Sequence, residues 1–406
     1  MSHRSFFYSL LRAYVRFWHN RIFYRKVEIK NFPKNISTDT PLLIVTNHQN
    51  TLMDALAVVL NVGKRQPYFL TRADIFKKDF VRKLLMSLKM LPVYRLRDGM
   101  DEMKQNDDIF NTCVNILSTG GTLAAFPEGN HGVQYHLRSF KKGLARIAFQ
   151  AETEHDWRLN LQILPCGLYY THCQKMGERL VLNFGEPFKL SEYQNAYQEN
   201  QPRTLTQVTR RMYDSIQALM LHIDDLPHHD DYKWLIDVAS GKGGDLMNTV
   251  LSTRKELDEL RKNTPEKYTG QIQAAHQQRL LMEPKSISPF TVGKGKPAIF
   301  VLVLKTLLLL ISSPVALYGV INNGLPYALP FLMTRKLKDP QFSSAFRIVL
   351  FALVTFPIFY LIQISIIGIF TDAQTTLLYA LSLPISGYLS HHWARKWSET
   401  MQQWQL

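Results

Sequence analysis

The feature that most constrains this chain is a set of long uncharged runs towards its C-terminus. Residues 306–334, 348–371 and 373–390 contain no Asp, Glu, Lys, Arg or His. An α-helix needs roughly 20 apolar residues to cross a hydrocarbon core of about 30 Å. We therefore predict a membrane-embedded region at 297–406 that anchors the preceding body, rather than one soluble domain.

The flanks of these runs predict how the region is oriented. The second and third runs meet at Thr371-Asp372-Ala373, with only Asp372 between them, which predicts a tight helical hairpin. Basic residues lie at both outer ends of that hairpin: Arg335, Lys336, Lys338 and Arg347 before it, and Arg395 and Lys396 after it. Since Lys and Arg favour the cytoplasmic side, we expect the body on the cytoplasmic face of an integral membrane protein. That membrane would be the inner membrane in a bacterium, or the endoplasmic reticulum in a eukaryote.

The first run has a different character, because polar and helix-disturbing residues interrupt it. Asn322-Asn323-Gly324 and three prolines (Pro314, Pro326 and Pro330) lie within or beside it. Such interruptions favour a bent or re-entrant helix over 298–334. A simple single span is the alternative, and it would place the body and the basic loop at 335–347 on opposite sides.

The charge balance excludes some classes of partner. The chain has 48 Lys and Arg against 33 Asp and Glu, a formal net charge of +15. No zinc-finger spacing, RNP-like aromatic run or basic zipper accompanies this excess, which argues against nucleic acid. Anionic lipid headgroups are the favoured partner. The 3 Cys residues form no CxxC pair, so neither a disulfide framework nor a secreted protein is expected.

The remaining sequence divides into three further segments. Residues 1–25 mix aromatics with Arg at helical spacing and predict an amphipathic interfacial helix, with an ordinary core-covering helix as the alternative. Residues 26–200 alternate strand-like apolar runs with helical stretches, which indicates an α/β layered domain. Residues 201–296 are polar and helical. Their His- and Asp-rich patch at 224–231 is interpreted as a capped turn rather than a metal site, and no metal is expected.

The sharpest candidate site begins where the first buried strand ends. His48 lies just past the run 42–45, and Asp54 follows six positions later. A His with a nearby carboxylate is the arrangement of a general base and its orienting group. Positions six apart cannot face each other on a straight helix, so His48 must lie in a loop and Asp54 on the helix that follows.

Three further blocks lie near predicted strand ends. The segment 91–97 carries Arg95 and Arg97, which suit bidentate phosphate recognition. The segment Phe126-Pro127-Glu128-Gly129 is followed by a basic stretch, and Ile163-Leu164-Pro165-Cys166-Gly167 completes the series. With the His48 block, these occur in a fixed order within residues 40–190.

This ordered set resembles the PlsC-like glycerolipid acyltransferases, that is, the glycerol-3-phosphate and 1-acylglycerol-3-phosphate acyltransferases. Asn47-His48 with Asp54 resembles the His/Asp block, although five residues separate His from Asp where the family usually has four. Asn130-His131 stands where a Ser or Thr is usual. The HxNxxxD form and the run 166–170 resemble the fungal-type glycerol-3-phosphate/dihydroxyacetone-phosphate enzymes more than typical bacterial ones.

The resemblance implies a mixed sheet with flanking helices, and the transfer of an acyl group from an acyl thioester to a hydroxyl in phospholipid synthesis. It implies His48 and Asp54 as catalytic residues, with no cofactor beyond the donor, acyl-CoA or acyl carrier protein. It also implies a substrate-binding set: Asn47, Arg95, Arg97, Glu128, Gly129 and Pro165. Cys166 is interpreted as a packing residue, not a nucleophile.

Two other functions remain as alternatives. One is a non-catalytic, membrane-surface protein that binds anionic lipid in the same basic groove, against which the intact His48 and Asp54 argue. The other is an acyltransferase for a different lysophospholipid. A serine hydrolase is disfavoured, because no GxSxG motif occurs in the chain.

Overall fold

The computed structural model describes residues 6–76, 78–93, 105–337 and 340–406. These residues form two compact units. The sheet unit comprises Val27–Tyr170 and Leu180–His222, and the helical unit comprises the described residues up to Lys26 together with Thr171–Arg179 and Ile223–Leu406. The division of the chain at 25, 200 and 296 stays a prediction.

The strands build one mixed sheet. They are β1 (Lys26–Lys30), β2 (Leu42–Thr46), β3 (Tyr68–Arg72), β4 (Met90–Val93), β5 (Thr122–Ala125), β6 (Gln162–Tyr170), β7 (Arg179–Phe184) and β8 (Phe188–Lys189). Their order is β1-β7-β6-β2-β5-β3-β4, and β8 pairs with β6. The pairs from β6 to β4 are parallel, whereas β7 and β8 run antiparallel to β6. The predicted mixed α/β architecture is confirmed.

Helices precede, follow and connect these strands. They are α1 (Phe6–Phe17), α2 (Leu52–Asn61), α3 (Asp79–Ser87), α4 (Gln105–Ser118), α5 (Gly143–Glu154), α6 (Gln194–Glu199), α7 (Gln201–Leu219), α8 (His229–Gly241), α9 (Leu246–Asn263), α10 (Pro265–Met282), α11 (Pro289–Lys294), α12 (Ile299–Ile311), α13 (Ser313–Thr334), α14 (Ser343–Leu350), α15 (Phe356–Phe370) and α16 (Ala373–Gln405). Parallel strands need crossover connections, and α2 to α5 supply them in the sheet unit.

Strand β2 lies at the centre of the sheet unit, and all five of its residues are buried. It pairs with β5 on one side and β6 on the other, so it is shielded on both edges. Its continuous apolar run is typical of a central parallel strand. The block 163–167 was predicted to lie near a strand end, but it lies inside β6, which continues to Tyr170, so that prediction was wrong for Pro165. Apolar residues beyond Pro165 extend the pairing, since Thr46 is in register with Cys166.

In the helical unit, the His- and Asp-rich patch is held by protein partners. Asp225 accepts a hydrogen bond from the Tyr268 hydroxyl at 2.7 Å and lies 3.0 Å from His228 Nδ1. His229 lies 2.9 Å from Asp230. The side chains of this segment therefore pair with protein groups, but none of them caps α8, whose N-cap residue is His228, so the interpretation as a capped turn was wrong.

The C-terminal helices agree in part with the predicted pattern. Helices α12 and α13 are bent by 53° across the break near Ser312. Asn322 and Asn323 do not interrupt α13, because their side chains find partners within the helix bundle. For example, the Tyr360 hydroxyl donates to Asn323 Oδ1 at 2.6 Å. The predicted bend within 298–334 is therefore present, and it lies just before Pro314 rather than at Asn322-Asn323-Gly324.

The hairpin between the second and third runs is present. Helix α15 ends at Phe370, α16 begins at Ala373, and the Asp372 side chain caps α16 by accepting from the Thr375 N–H. Among the described helices, the continuous segment Ser343–Phe370 is long and apolar enough to cross a membrane, and the bent pair α12–α13 would make a second span if taken as one. The run 373–390 forms the first half of the longer α16, which is not among these candidate spans.

Helix α1 belongs to the helical unit and packs through the π-helical turn that follows it. The Trp18 ring is stacked on Phe351 at 6.4 Å with an interplanar angle of 2°, and it lies 5.0 Å from Phe356. Leu10 and Phe17 remain 59% and 47% exposed. The N-terminal segment therefore contacts the C-terminal apolar segment and also has exposed apolar side chains, and its interfacial role stays a prediction.

Candidate active site

The sheet unit brings His48 and Asp54 together where β2 ends. His48 lies in the loop after β2, and Asp54 lies in the first turn of α2. His48 Nδ1 is 2.7 Å from Asp54 Oδ2. Asp54 is fully buried, while 16% of the His48 side chain is exposed. The structure thus places the two residues in the loop and on the helix, as the spacing predicted.

The Asp54 carboxylate is fixed by donors on both of its oxygens. Oδ2 also accepts the backbone N–H groups of Gln49 and Asn50, at 2.8 Å and 2.7 Å. Oδ1 accepts the hydroxyl of Tyr170, from the far end of β6, at 2.6 Å. A carboxylate held in this way cannot rotate freely, so it holds the His48 ring in one orientation and favours a proton on Nδ1.

The five-residue spacing is accommodated by an unusual turn at Thr51. This residue has φ +48° and ψ −127°, a left-handed conformation that is strained for a β-branched side chain. Thr51 is buried, and its hydroxyl has no hydrogen-bond partner among the described residues. The turn lets two successive N–H groups point at Asp54 before α2 begins.

On its other side, the His48 loop is held by Glu128 and Arg138. The Glu128 carboxylate accepts the His48 N–H at 2.7 Å and the Arg138 Nε–H at 2.8 Å. The Arg138 guanidinium also donates to the carbonyl oxygens of His48 and Asn130. Burial raises the pKa of Glu128, and the charge of Arg138 opposes that effect. The hydrogen bonds of the Glu128 carboxylate therefore go to protein groups next to His48.

Asn47 and Pro165 both contact backbone rather than open space. Asn47 Oδ1 accepts the Leu168 N–H at 2.7 Å, and its Nδ2 donates to the Leu168 carbonyl at 3.0 Å. Pro165 is buried in β6 beside Val45, and its carbonyl accepts the Gly185 N–H at 2.9 Å. These contacts fix β6 against the end of β2, which is where Tyr170 must be positioned to reach Asp54.

The predicted substrate-binding set also contains Gly129, Arg95 and Arg97. Gly129 is exposed and has φ +74°, and no atom lies within 4 Å of the position that a Cβ would occupy. Its open side permits the close approach of a ligand to the backbone. Arg95 and Arg97 lie outside the described residues.

The free nitrogen of His48 is what gives the site its chemical capacity. Phe126 is stacked on the imidazole, with ring centroids 4.0 Å apart and an interplanar angle of 13°, and His131 approaches it edge-on at 5.4 Å. Nδ1 is occupied by Asp54, whereas Nε2 has no hydrogen bond in the part of the chain that is described. A partly exposed Nε2 with a buried carboxylate behind it can accept a proton from a hydroxyl.

Cys166 does not provide a second nucleophile. The residue is fully buried in β6, and burial raises the pKa of its thiol. The reactive thiolate is therefore disfavoured, which supports the interpretation of Cys166 as a packing residue.

Sequence reasoning did not assign Tyr170 or Arg138 to the site. Tyr170 is 116 positions from Asp54, and Arg138 is 90 positions from His48. Tyr170 lies in the run 166–170 and Arg138 in the basic stretch after Gly129, but neither pattern indicates a contact with His48 or Asp54. A signal for Arg138 did exist, because the buried Glu128 needed a cationic partner.

This chain is similar to known acyltransferases. Residues 26–169 match the Acyltransferase family model. A stretch of 119 residues is 30% identical to an uncharacterized acyltransferase of Schizosaccharomyces pombe, covering 29% of this chain and 18% of that protein. A stretch of 125 residues is 29% identical to glycerol-3-phosphate O-acyltransferase 2 of Saccharomyces cerevisiae, covering 30% and 17%.

Two further similarities complete the comparison. A stretch of 123 residues is 29% identical to a chloroplastic 1-acyl-sn-glycerol-3-phosphate acyltransferase of Arabidopsis thaliana, covering 30% of this chain and 32% of that protein. The solved structure of the 1-acyl-sn-glycerophosphate acyltransferase of Thermotoga maritima aligns with 52% of this chain and 81% of its own, with 18% identity and a TM-score of 0.35. The chain spans at most about a third of the length of these curated relatives. The resemblance given by the four motif blocks is confirmed.

Proposed function

We propose that this chain, which carries an acyltransferase-family domain at residues 26–169, transfers a fatty acyl group from a thioester to a hydroxyl of glycerol 3-phosphate or 1-acylglycerol 3-phosphate. The observation that carries this proposal is the His48–Asp54 pair, with its second ring nitrogen free at the end of β2. The names of the yeast and plant relatives support this class of acceptor.

The reaction follows from the geometry of this pair. His48 Nε2 takes the proton of the acceptor hydroxyl while the hydroxyl oxygen attacks the thioester carbonyl carbon. The new ester C–O bond forms, the C–S bond breaks, and the imidazolium returns the proton to the leaving thiolate. Asp54 stabilises the imidazolium in between. No covalent acyl-enzyme and no cofactor are needed, because the donor, acyl-CoA or acyl carrier protein, supplies the activated acyl group.

Release of free thiol tests the proposal directly. The full-length protein, purified in detergent, would be given acyl-CoA with glycerol 3-phosphate, with 1-acylglycerol 3-phosphate, or with no acceptor. We expect thiol release that depends on a phosphorylated glycerol acceptor. Release with only another lysophospholipid would favour that alternative substrate, and no release with any acceptor would favour the lipid-binding alternative.

Glu128 is proposed to position His48 rather than to bind the acceptor. We expect Glu128→Gln to lower kcat by roughly 10- to 100-fold, because it weakens a charge-assisted hydrogen-bond network next to the base. The acceptor KM should change little, since the carboxylate contacts the protein. Steady-state kinetics with both substrates varied would measure the two effects separately.

Arg138→Lys tests the same hydrogen-bond network from the other partner and is compared with Glu128→Gln. It keeps the charge but loses the planar fork that joins Glu128 to the carbonyls of His48 and Asn130, so it should also lower kcat. If Glu128→Gln instead raised only the acceptor KM, the carboxylate would be a substrate-binding group.

Arg95 and Arg97 are proposed to hold the phosphate of the acceptor. Removing one charge-assisted contact weakens binding by roughly 10- to 100-fold, so Arg95→Ala should raise the acceptor KM by that factor and the donor KM far less. Kinetics with the acceptor and acyl-CoA varied independently would measure this. Equal effects on both KM values would place Arg95 on the donor phosphates or in a structural ion pair.

We also propose that the helical unit holds the chain in a membrane, with the sheet unit on the cytoplasmic face. The apolar segment Ser343–Phe370, the bent pair α12–α13 and the exposed apolar face of α1 support this. The full-length protein should then stay with the membrane pellet after washes with high salt and with alkaline carbonate. Recovery in the supernatant after either wash would contradict membrane insertion.

A further inference from the structure

A cluster of basic residues in the helical unit has no role in the acyl-transfer site. It contains Arg25, His391 and Arg395, and Glu399 lies beside it. Arg25 Nη1 forms an ion pair with Glu399 Oε1 at 2.8 Å. Glu399 is therefore paired with Arg25, and the guanidinium of Arg395 forms no ion pair among the described residues.

The side chain of Arg395 packs against a neighbouring turn, although its Nη1 has no hydrogen-bond partner among the described residues. The turn at Gly177 packs on its stem, since a Cβ added to Gly177 would lie 3.7 Å from Arg395 Cδ. Arg395 Nη1 and His391 Nε2 are both buried, and neither has a hydrogen-bond partner in the described part of the chain. Burial and the charge of Arg25 lower the pKa of Arg395. A buried cationic donor without an acceptor is costly, so these groups are suited to an anionic ligand rich in acceptor oxygens.

The position of the cluster on α16 indicates where that ligand lies. The uncharged run of this helix ends at Ser390, and Arg395 follows about one turn later. Trp393 and Trp397 flank Arg395 in sequence, and their rings are stacked 5.2 Å apart. Tryptophan and basic residues directly after an apolar run are typical of the headgroup layer of a membrane.

The same face of α16 also continues into apolar surface. Ile385, Tyr388, His392 and Arg395 follow one another at spacings of three or four residues, so they share one side of the helix. Ile385 is 61% exposed and Tyr388 is 38% exposed, and the Tyr388 and His392 rings lie 4.0 Å apart. A ligand on this face would meet a cation at one end and an apolar strip at the other.

We propose that Arg395, with Arg25 and His391, forms a binding site for the phosphate of an anionic phospholipid whose acyl chains lie along Tyr388 and Ile385. The site rests on the proposed membrane attachment but not on acyl transfer, since it lies in the helical unit and its ligand is a structural lipid rather than a reactant. The phosphate oxygens accept hydrogen bonds from the half-exposed guanidinium of Arg395.

Thermal unfolding of the delipidated full-length protein in a non-ionic detergent tests the site. Short-chain phosphatidylglycerol should raise the Tm in a saturable manner, short-chain phosphatidylcholine should raise it less, and inorganic phosphate should have little effect. Arg395→Gln should weaken the apparent affinity for phosphatidylglycerol by roughly 10- to 100-fold. The matched control Arg335→Gln removes the same charge at an exposed position of the helical unit and should leave the affinity unchanged.

Each other result would overturn the proposal. Equal loss in Arg395→Gln and Arg335→Gln would mean non-specific attraction between charges, and an equal response to inorganic phosphate would mean a small-anion site. Arg395→Gln should unfold without lipid at a temperature no lower than wild type, because it removes a guanidinium whose buried Nη1 has no acceptor. A large drop in that Tm, rescued by Arg395→Lys without any response to lipid, would show a structural role. His48→Ala should keep the rise in Tm with lipid. Failure of the acyl-transfer proposal can therefore be distinguished from failure of the lipid-site proposal.

Discussion

Replacement of His48 by alanine is expected to lower kcat for acyl transfer by about 10²- to 10⁴-fold, the usual contribution of a general base. The Nε2 that accepts the acceptor proton is lost, while the buried carboxylate of Asp54 keeps its bonds to two backbone N–H groups and to Tyr170. The fold should therefore survive. Acceptor-dependent thiol release and thermal unfolding, measured on the same preparation, would check both parts.

Two other histidines make this test specific. His155 lies at the end of α5 in the same unit, outside the site, so His155→Ala should retain turnover. His131 lies edge-on to the His48 ring at 5.4 Å and is the competing candidate for the base. If His131→Ala abolished thiol release while His48→Ala retained it, the assignment of the base would be wrong.

Asp54→Asn is expected to have the second large effect, a loss in kcat on the order of 10³- to 10⁴-fold, as when the orienting carboxylate of a His-based site is neutralised. The amide of Asn has one oxygen, whereas both oxygens of Asp54 accept hydrogen bonds. Its NH₂ group must therefore face either His48 Nδ1 and the two backbone N–H groups, or the Tyr170 hydroxyl. We also expect a decrease of about 1–3 kcal/mol in the free energy of unfolding, from unsatisfied buried donors.

Tyr170→Phe separates orientation from stability at the same carboxylate. It removes the donor to Asp54 Oδ1 but leaves the contact between Oδ2 and His48 Nδ1 intact. We expect a loss of stability comparable to that of Asp54→Asn, with a much smaller loss in kcat. If Tyr170→Phe and Asp54→Asn lowered kcat equally, then general loosening of the loop, rather than orientation of His48, would explain both variants.

The sheet and the reactive pair could be predicted because their signals are local. The apolar run 42–45 gave β2, and a His just past it with an Asp six positions later required a loop followed by a helix. The bend before α13 and the hairpin before α16 likewise followed from prolines and from an isolated aspartate between apolar runs. Each of these inferences uses neighbours in the chain and the fixed geometry of a helix or strand.

Other features depend on which distant segments meet, and sequence patterns do not give that information. The length of β6 was underestimated because its apolar run passes through Pro165, and only its register with β2 shows that the strand continues to Tyr170. The place of the bend within 298–334 was not given by the sequence, because partners on other helices allow α13 to continue through Asn322 and Asn323. Burial and pairing over long sequence distances decided these points.

The sequence by itself determined that a His/Asp pair follows a buried central strand, that an α/β domain precedes apolar helices, and which motif order the chain carries. Only the tertiary structure decided that Tyr170 donates to Asp54, that Glu128 and Arg138 hold the His48 loop, and that Arg395 Nη1 has no acceptor among the described residues. The physical reason is that a residue type fixes what chemistry a side chain can perform. Contacts between segments far apart in the chain set the partners and the exposure of that side chain. These decide whether its role is catalytic, ligand-binding or structural.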